Sequence, residues 1–340
     1  DKDLVVSSTR TLKKISQVAE NITVITTKEI EGMNAHSVAD VLRRVPDLFL
    51  SSNQDFGASS IIGIQGSEDR HVLVLVDEIP WNFLSGGNAE TSTIPIGAID
   101  RIEIIKGPAS SSWGSSLGGV VNIITKKAGK AKSPSGIVSA SYGRSGTQDY
   151  RAELSGNAGP AGYYLYANKQ TSDGLVESRS FDGQNFFTKV DTPVSQAGEL
   201  SLELGYNSSD TGFGDFQESD SYGNSKQHSL YARGSLNLAL TNDLDFTLSL
   251  FHSRKKYSLD YRSLGVSGYY GPYGTPFLKN IWKEDAIGAR CQFVLTKEAH
   301  TAVSGIDYDN GNLDQRTLSG PSLQSMGSPA ELIATPDTSQ

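Results

Sequence analysis

Polar and apolar residues alternate along the sequence from Gly136 onward, and this alternation restricts the fold more than any other feature. The segment Glu199–Leu204 reads ELSLEL, and Ser229–Leu236 repeats the pattern less strictly. A period of two places apolar side chains on one face of a β-strand, and helical periodicity is absent here. The pattern predicts nine antiparallel strands, at Gly136–Gly143, Thr147–Asn157, Gly162–Thr171, Asn185–Asp191, Ala197–Asn207, Gln227–Leu238, Asp243–Tyr257, Trp282–Thr296 and Ala299–Asp309.

The connections between these strands alternate in length, apart from a short hairpin around Arg144–Gly146. Short turns are predicted at Asn157–Ala161, Asp191–Gln196, Ala239–Asn242 and Thr296–Ala299. Long polar loops are predicted at Ser172–Gln184, Ser208–Lys226, Ser258–Ile281 and from Asn310 onward. Transmembrane β-barrels have short turns at one end and long loops at the other, so this asymmetry favours a barrel. A soluble β-sandwich is the alternative, although it gives no reason for the asymmetry.

Nine strands do not close a single-chain barrel, which has an even number of strands. A plugged barrel of roughly 22 strands needs roughly ten residues in each strand, more than the sequence offers after residue 130. We therefore expect the sequence to be a fragment of a longer protein, with completion of the wall by another chain as the alternative.

The residues before Lys126 follow a different pattern, with apolar runs of strand length and one helix. Ser37 precedes apolar residues at helical spacing, and Pro46 ends that helix. A basic segment of small residues, Lys126–Pro134, separates the two regions. The predicted strands of the first region are Ile22–Ile25, Ile61–Ile64, Val72–Asp77, Ile102–Ile105 and Val120–Ile124.

Composition argues against several classes of function. The net charge is −8, and no basic stripe interleaved with aromatic residues is present, so a nucleic-acid-binding surface is not predicted. Cys291 is the only cysteine, which excludes an internal disulfide and paired-cysteine metal sites. The sequence has no GxSxG, HExxH or phosphate-loop motif, and an enzyme is therefore not predicted. Asp1–Asp3 shows no leader, so we expect any export signal to have been removed.

Five ordered blocks in the first region resemble the plug of TonB-dependent outer-membrane receptors. They are Ser37–Pro46, Ile64–Gly66, Val72–Pro80, Ala98–Pro108 and Leu117–Thr125. The resemblance implies an α+β plug domain followed by antiparallel transmembrane β-barrel strands, an incomplete barrel with about nine of an expected 22 strands. The predicted boundaries are residues 1–20 for an N-terminal segment, 21–130 for the plug and 131–340 for the barrel.

Four positions depart from the pattern of this family. Gln65 and Lys106 replace arginines, Glu78 replaces the glycine after Asp77, and Trp113 replaces a tyrosine. We expect the loss of the arginine at position 65 to weaken charged contacts between plug and barrel wall.

The resemblance implies active import through the bacterial outer membrane, energised by the partner TonB and its inner-membrane complex. Asp3, Leu4, Val5, Val6, Ser7 and Ser8 resemble the TonB box, which would bind by strand addition; an ordinary disordered terminus is the alternative. A ferric siderophore is the first expected ligand, with cobalamin and haem next. A surface barrel with a structural or adhesive role, or one component of a split complex, is the rival function.

The expected ligand site combines two plug loops, Ser51–Ser60 and Trp81–Thr91, with the barrel loop Tyr257–Phe277. Aromatic side chains with polar neighbours suit a large amphiphilic ligand. Packing of Trp81 and Phe83 against the wall, or a membrane-interface role for the tyrosines, are the alternatives. The candidate ligand-binding residues are Gln54, Phe56, Trp81, Asn82, Phe83, Tyr257, Tyr261, Tyr269 and Tyr270.

No cofactor is expected, although acidic residues of the predicted loops are candidate ligands for a structural Ca²⁺ ion. Carboxylate oxygens are the ligands that Ca²⁺ prefers, but no fixed spacing supports a site, and solvated acidic loops explain the same residues. The candidates are Asp173, Asp182, Asp210 and Asp215.

Overall fold

The computed structural model describes residues 4–5, 13–52, 56–57, 60–114, 116–298, 300–319 and 333–334. These residues form two regions that pack against each other. We call residues 13–125 the plug, after the domain that they resemble, and the sheet that begins at Ser135 the wall. Within the described residues, no helix is long and apolar enough to cross a membrane.

The centre of the plug is a five-stranded sheet with the strand order β3 (Asn21–Thr26), β8 (Ile99–Lys106), β9 (Gly119–Thr125), β6 (Val72–Val76) and β7 (Ile79–Pro80). Strands β6 and β9 are parallel, and the other pairs are antiparallel. All five predicted strands of this region are confirmed, whereas β4 and α1 were not predicted. The elements are β1 (Leu4–Val5), β2 (Lys13–Lys14), β3 (Asn21–Thr26), α1 (Thr27–Gly32), α2 (Val38–Leu42), β4 (Leu48–Ser52), β5 (Ser60–Ile64), β6 (Val72–Val76), β7 (Ile79–Pro80), β8 (Ile99–Lys106), α3 (Ser110–Trp113) and β9 (Gly119–Thr125).

Both longer helices of the plug begin with a capping box. The Ser37 side chain accepts a hydrogen bond from the amide of Asp40, whose carboxylate accepts one from the Ser37 amide, and Thr26 and Glu29 do the same for α1. Such reciprocal bonds satisfy amides that the first helical turn leaves without partners. The helix α2 then buries Val38, Val41 and Leu42 against the plug sheet.

The wall is one antiparallel sheet in which each strand pairs with the next along the chain. All nine predicted strands are confirmed, and a two-residue strand, β19 (Ile333–Ala334), pairs with the last of them. In the described residues β10 (Ser135–Tyr142) and β19 lie at opposite edges, and the sheet is not closed. The strands are β10 (Ser135–Tyr142), β11 (Gln148–Ala158), β12 (Ala161–Ser172), β13 (Phe181–Ser195), β14 (Gly198–Phe216), β15 (Ser221–Ala239), β16 (Leu244–Ser263), β17 (Pro276–Lys297) and β18 (His300–Ser319).

The two faces of the wall have the opposite polarity to the two faces of a soluble sheet. On β14, Leu202 and Leu204 are 50% and 41% exposed, whereas Glu203 between them is 4% exposed and faces the plug. An apolar outer face and a polar inner face are typical of a transmembrane barrel.

The predicted long loops are shorter than expected, because the strands continue into them. Strands β14 and β15 pair as far as Phe216 and Ser221, so that only residues 217–220 connect them. Strands β16 and β17 likewise pair up to a connection at residues 264–275. Backbone pairing does not require the alternation of apolar residues from which strand ends were predicted. These four strands were therefore predicted too short at the long-loop end: β14 and β16 end later, and β15 and β17 begin earlier, than predicted.

The segment 126–134 connects plug and wall without regular structure and lies against the short-turn end of β11 and β12. The Gly129 amide donates to the Tyr163 carbonyl at 3.0 Å. A Cβ atom on Gly162 would lie 2.5 Å from the Gly129 carbonyl oxygen, so only glycine fits at position 162 without a shift.

Candidate functional site

The inner face of the wall holds the plug through a charge cluster, which we define as Asp77, Glu78, Lys189, Glu203 and Arg233. Lys189 on β13 lies 3.4 Å from the Asp77 carboxylate and 3.1 Å from that of Glu203. Arg233 on β15 joins Glu203 to Glu78 at 3.1 and 2.9 Å. Apart from Glu78, these side chains are at most 12% exposed, so the cluster connects plug and wall within the protein interior.

The two acidic residues of the plug occupy an unusual turn. Val76 pairs with Ile79, and Asp77 and Glu78 between them have φ values of 45° and 70°. A two-residue hairpin turn with both φ angles positive favours Asp-Gly or Asn-Gly. Glu78, which replaces a glycine of the family pattern, therefore adopts a backbone conformation that its side chain disfavours.

The charge of Asp77 is stabilised by its neighbours. Burial alone would raise the pKa of Asp77, but Lys189, Arg233 and the hydrogen bonds from Thr125 outweigh burial and hold the pKa below its usual value. The Thr125 amide donates to this carboxylate at 2.9 Å, which ties the end of β9 to the turn. Asp77 therefore stays ionised at neutral pH.

Glu78 provides a charged contact that the sequence did not predict. Besides its ion pair with Arg233, its carbonyl accepts a hydrogen bond from Arg290 on β17 at 2.6 Å. Glu78, another departure from the family pattern, thus adds contacts between plug and wall, and the expected weakening at Gln65 stays a prediction.

A second contact group surrounds Lys255, which extends from β16 toward the plug loop 81–91. Its ammonium donates to the carbonyls of Pro80, Trp81 and Asn82 at 3.3, 2.8 and 3.1 Å. It also lies 5.5 Å from the ring centroids of Trp81 and Phe83, within the range of cation–π attraction. Lys255 is 5% exposed, and its three donors are all used to hold the plug loop.

Four of the predicted ligand-binding residues meet at this place. Trp81 and Phe83 are 2% and 7% exposed. Trp81 packs edge-on against Tyr231, and the ring centroids of Phe83 and Tyr257 lie 5.4 Å apart. The Asn82 side chain bonds to backbone groups of the plug. In this structure all four make plug or wall contacts, and their role in ligand binding stays a prediction.

Phe56, another predicted ligand residue, belongs to a third contact group near the long-loop end. Its ring lies 5.3 Å from His36 and 5.9 Å from Phe181 on the wall. His36 Nδ1 lies 2.6 Å from the Asp149 carboxylate, which is also bonded by Arg151. An aromatic contact on the plug loop thus adjoins a polar contact between plug and wall.

The remaining predicted tyrosines lie farther toward the long-loop end. Tyr261 is part of β16 rather than of a loop, as is Tyr257, because the hairpin pairing continues past both residues. The rings of Tyr269 and Tyr270 contact each other with their centroids 4.8 Å apart, and the Tyr270 ring stacks on that of Phe277 with a centroid distance of 3.9 Å. Asp220 accepts hydrogen bonds from the amides of Val266 and Ser267, which attaches this aromatic loop to the neighbouring hairpin.

The structure does not bring the other predicted site residues together. Gln54, Asp3, Val6, Ser7 and Ser8 lie outside the described residues. Asp182 pairs with Lys169 and Asp210 with Lys226, and no group of three or more His, Cys, Asp or Glu residues suited to a metal ion occurs in the described ranges. Asp173 follows β12, and Asp215 pairs with Tyr222.

Leu4 and Val5 of the predicted TonB-binding segment form β1, which pairs with Lys13 and Lys14 of β2. The Val5 side chain is fully buried. This segment therefore already has a strand partner in the described structure.

Sequence reasoning missed the wall residues Lys255, Arg233 and Tyr231. Lys255 and Lys256 are adjacent, so the period of two shows that their side chains point to opposite faces of the sheet. It does not show which of the two faces the plug. The regular alternation of β15 would have placed Arg233 on the same face as Tyr231.

Comparison with known families agrees with this arrangement of plug and wall. Residues 14–120 match the family model described as the TonB-dependent Receptor Plug Domain. The chain therefore carries the plug domain of TonB-dependent receptors, and the proteins that it resembles are receptors of the bacterial outer membrane.

Among individual proteins, the chain is 30% identical over 231 residues to a vitamin B12 transporter, BtuB, of Photobacterium profundum, which is 65% of this chain and 37% of that protein. The fold resembles the pyoverdine receptor FpvA of Pseudomonas aeruginosa PAO1, with a TM-score of 0.78, 16% identity, and coverage of 93% of this chain and 50% of that one. It also resembles the ferric preacinetobactin receptor BauA of Acinetobacter baumannii, with a TM-score of 0.74, 15% identity, and coverage of 93% and 50%. The chain thus spans half or less of the length of these relatives.

Proposed function

We propose that this protein imports a scarce nutrient across the outer membrane, with energy delivered by TonB. One observation carries the proposal: the plug packs against the polar inner face of a wall whose outer face is apolar. A water-soluble ligand can cross the membrane inside such a wall only if the plug changes its contacts with the wall. Charged and polar contacts, such as the charge cluster, are the kind that water can replace.

We propose a large metal chelate as the ligand, either a ferric siderophore or cobalamin, with haem third. The relative at 30% identity is named for vitamin B12, whereas the siderophore receptors at 15–16% identity support only the fold. Phe83, Tyr257 and Trp282 form a continuous aromatic group below Tyr261. Such a group, with polar neighbours, suits a large amphiphilic molecule.

We propose that Asp3–Ser8 binds TonB by strand addition. Leu4 and Val5 are extended and already use their backbone in a strand pair, so capture would exchange one strand partner for another. Proline lacks the amide that such a pair requires, whereas threonine keeps it. Val5→Pro is therefore expected to abolish uptake, and Val5→Thr to retain it.

The experiment measures binding and uptake separately in cells that carry the receptor and lack their own. Radiolabelled cyanocobalamin and a radiolabelled ferric siderophore are the two probes. We expect one probe to accumulate, and deletion of residues 3–8 to stop accumulation while surface binding persists. Unchanged accumulation after the deletion would contradict TonB coupling. Binding without accumulation in the unmodified protein would favour the rival structural or adhesive role.

A further inference from the structure

The connection between β14 and β15 ends at Asp220, which contacts the connection between β16 and β17, residues 264–275, which we call the rim loop. The Asp220 carboxylate accepts hydrogen bonds from the amides of Val266 and Ser267 at 2.9 and 3.0 Å, and one from the Ser267 hydroxyl. The Asp220 carbonyl accepts another from the Leu264 amide at 3.0 Å. Asp220 is 5% exposed, so the first residues of the rim loop cover it.

Asp220 suits this position by its backbone and by its charge. Its φ and ψ angles of 48° and 42° are left-handed, a conformation that aspartate and asparagine adopt more readily than other non-glycine residues. The hydrogen bonds from Ser267 and Val266 hold the pKa of Asp220 below its usual value, so the carboxylate is ionised at neutral pH. Hydrogen bonds to an ionised acceptor are stronger than those between neutral groups. The rim loop is therefore held by one charged side chain of a different hairpin.

The two ends of the rim loop are joined through Ser263, the last residue of β16, which is fully buried. Its hydroxyl accepts a hydrogen bond from the Gly265 amide at 2.9 Å and donates one to the Gly271 carbonyl at 2.8 Å. Its carbonyl accepts a hydrogen bond from the Gly274 amide at 2.9 Å. The rim loop thus has a defined conformation of its own, and Asp220 fixes that unit to the hairpin of β14 and β15.

The rim loop places aromatic rings toward both faces of the wall. Tyr222 alternates with the inward-facing residues of β15, and the Tyr273 ring stacks on it with a centroid distance of 5.4 Å. Tyr273 is 67% exposed. On the other side of the loop, the Tyr270 ring stacks on Phe277, whose centroid lies 6.4 Å from that of Tyr261.

This second group of rings continues the aromatic contacts between plug and wall. The period of two places Tyr257 and Tyr261 on the same face of β16, and Tyr257 contacts Phe83 of the plug. The rings of Tyr261, Phe277 and Tyr270 therefore extend the aromatic surface from the plug to the rim loop.

Resting on the proposed function, we propose that Asp220 is a positioning residue of the ligand site, which holds the rim loop in place before the ligand arrives. The rings of Tyr270, Phe277 and Tyr261 then form a preformed surface on which a flat, conjugated part of a metal chelate stacks. Asp220 itself does not touch the ligand, because Val266 and Ser267 cover its carboxylate. Fixing a loop in its bound conformation raises affinity, because binding then loses less conformational entropy.

The anchor is tested without any ligand by hydrogen exchange of the purified receptor. Asp220→Ala should accelerate exchange at the amides of Val266 and Ser267 by at least about tenfold, because each loses a hydrogen bond to a charged acceptor. Asp220→Asn keeps an acceptor oxygen and tolerates the left-handed backbone, so its effect should be smaller. Ser219→Ala is the matched control, since Ser219 lies in the same turn and its hydroxyl contacts Phe216 and Ser221 rather than the rim loop.

The positioning role is tested by the affinity of surface binding in cells that lack TonB, with radiolabelled cyanocobalamin and a radiolabelled ferric siderophore as probes. Asp220→Ala should raise the Kd of the probe that binds by at least about tenfold, and Asp220→Asn should raise it less. Tyr270→Ala should weaken binding by a similar factor. The double variant Asp220→Ala with Tyr270→Ala should bind no more weakly than the weaker single variant, because both changes act through one surface. Tyr273→Ala, which removes a ring from the outer side, should leave the Kd unchanged.

Three results would overturn the proposal. One is exchange at Val266 and Ser267 that stays as slow in Asp220→Ala as in the unmodified protein. Another is faster exchange with an unchanged Kd. The third is additive losses of affinity in the double variant, which would show that Asp220 does not act through Tyr270. If neither probe binds to the unmodified protein, the proposed function fails, whereas the exchange result tests the anchor by itself.

Discussion

In the plug, Ile102 and Ile104 are fully buried, whereas in the wall Leu202 and Leu204 are half exposed and Glu203 between them is buried. The plug is therefore folded as a water-soluble domain, with apolar residues inside. The wall is folded for two environments, with lipid outside and a polar protein surface inside. The boundary between plug and wall is consequently rich in ion pairs, because each contributes polar groups to it.

The largest loss of stability is expected when one charged side chain is removed from the boundary between plug and wall. Arg233→Ala leaves Glu78 without its ion-pair partner and Glu203 with Lys189 alone, and breaking a buried pair in this way costs about 3–5 kcal/mol. We expect faster proteolysis of the plug in isolated outer membranes. Arg70→Ala is the control, because Arg70 is 62% exposed and pairs with Glu68 within the plug, where an exposed ion pair contributes about 0–1 kcal/mol. Equal effects of the two variants would contradict the proposed importance of the inner face.

A charge on the outer face tests the assignment of that face to lipid. Leu204→Arg is expected to cost about 2–4 kcal/mol if this position lies near the middle of the membrane. The yield of protein assembled in the outer membrane is the measurement. Leu240→Arg, in the turn between β15 and β16, is the control and should assemble normally. Normal assembly of Leu204→Arg would place this face outside the lipid.

Two neighbouring lysines on β16 allow the inner and the outer face of the wall to be compared within one strand. Lys255→Met leaves three plug carbonyls without their donor, at a cost of about 1–3 kcal/mol for each unsatisfied group. Hydrogen exchange at residues 81–87 should accelerate. Lys256→Met, on the exposed outer face, should leave exchange unchanged. Acceleration in both variants would indicate a general loss of stability rather than a local anchor.

The smallest expected effect is on the pH dependence of plug stability. The pKa of Asp77 in the folded protein is lowered, so its stabilising contribution is complete above the usual value and is lost as pH falls through the lowered one. Protease resistance of the plug should decline below about pH 4. The decline should be smaller in Asp77→Asn, which has no carboxylate to protonate. An identical decline in both proteins would assign the acid sensitivity to other groups.

The sequence predicts the elements of both regions because their hydrophobic patterns are strong and different. It does not predict where β14 to β17 end, because pairing continues through residues such as Tyr261 that lack alternation. Nor does it predict whether Trp81 and Phe83 face a ligand or the wall, since a buried aromatic residue and an exposed one look the same in a sequence. The partners of Glu78 are more than 150 residues away along the chain, and no local pattern reports them.

The turn at Asp77 and Glu78 has a consequence for how this sequence can diverge. Glutamate at position 78 has a backbone cost that glycine does not, and the ion pair with Arg233 offsets it. Loss of Arg233 would therefore remove the reason to keep glutamate at position 78, whereas Arg233 keeps its ion pair with Glu203 when Glu78 is lost. Among descendants of this gene, we expect an uncharged residue at position 233 to be accompanied by glycine at position 78, whereas glycine at position 78 can occur beside an arginine at position 233.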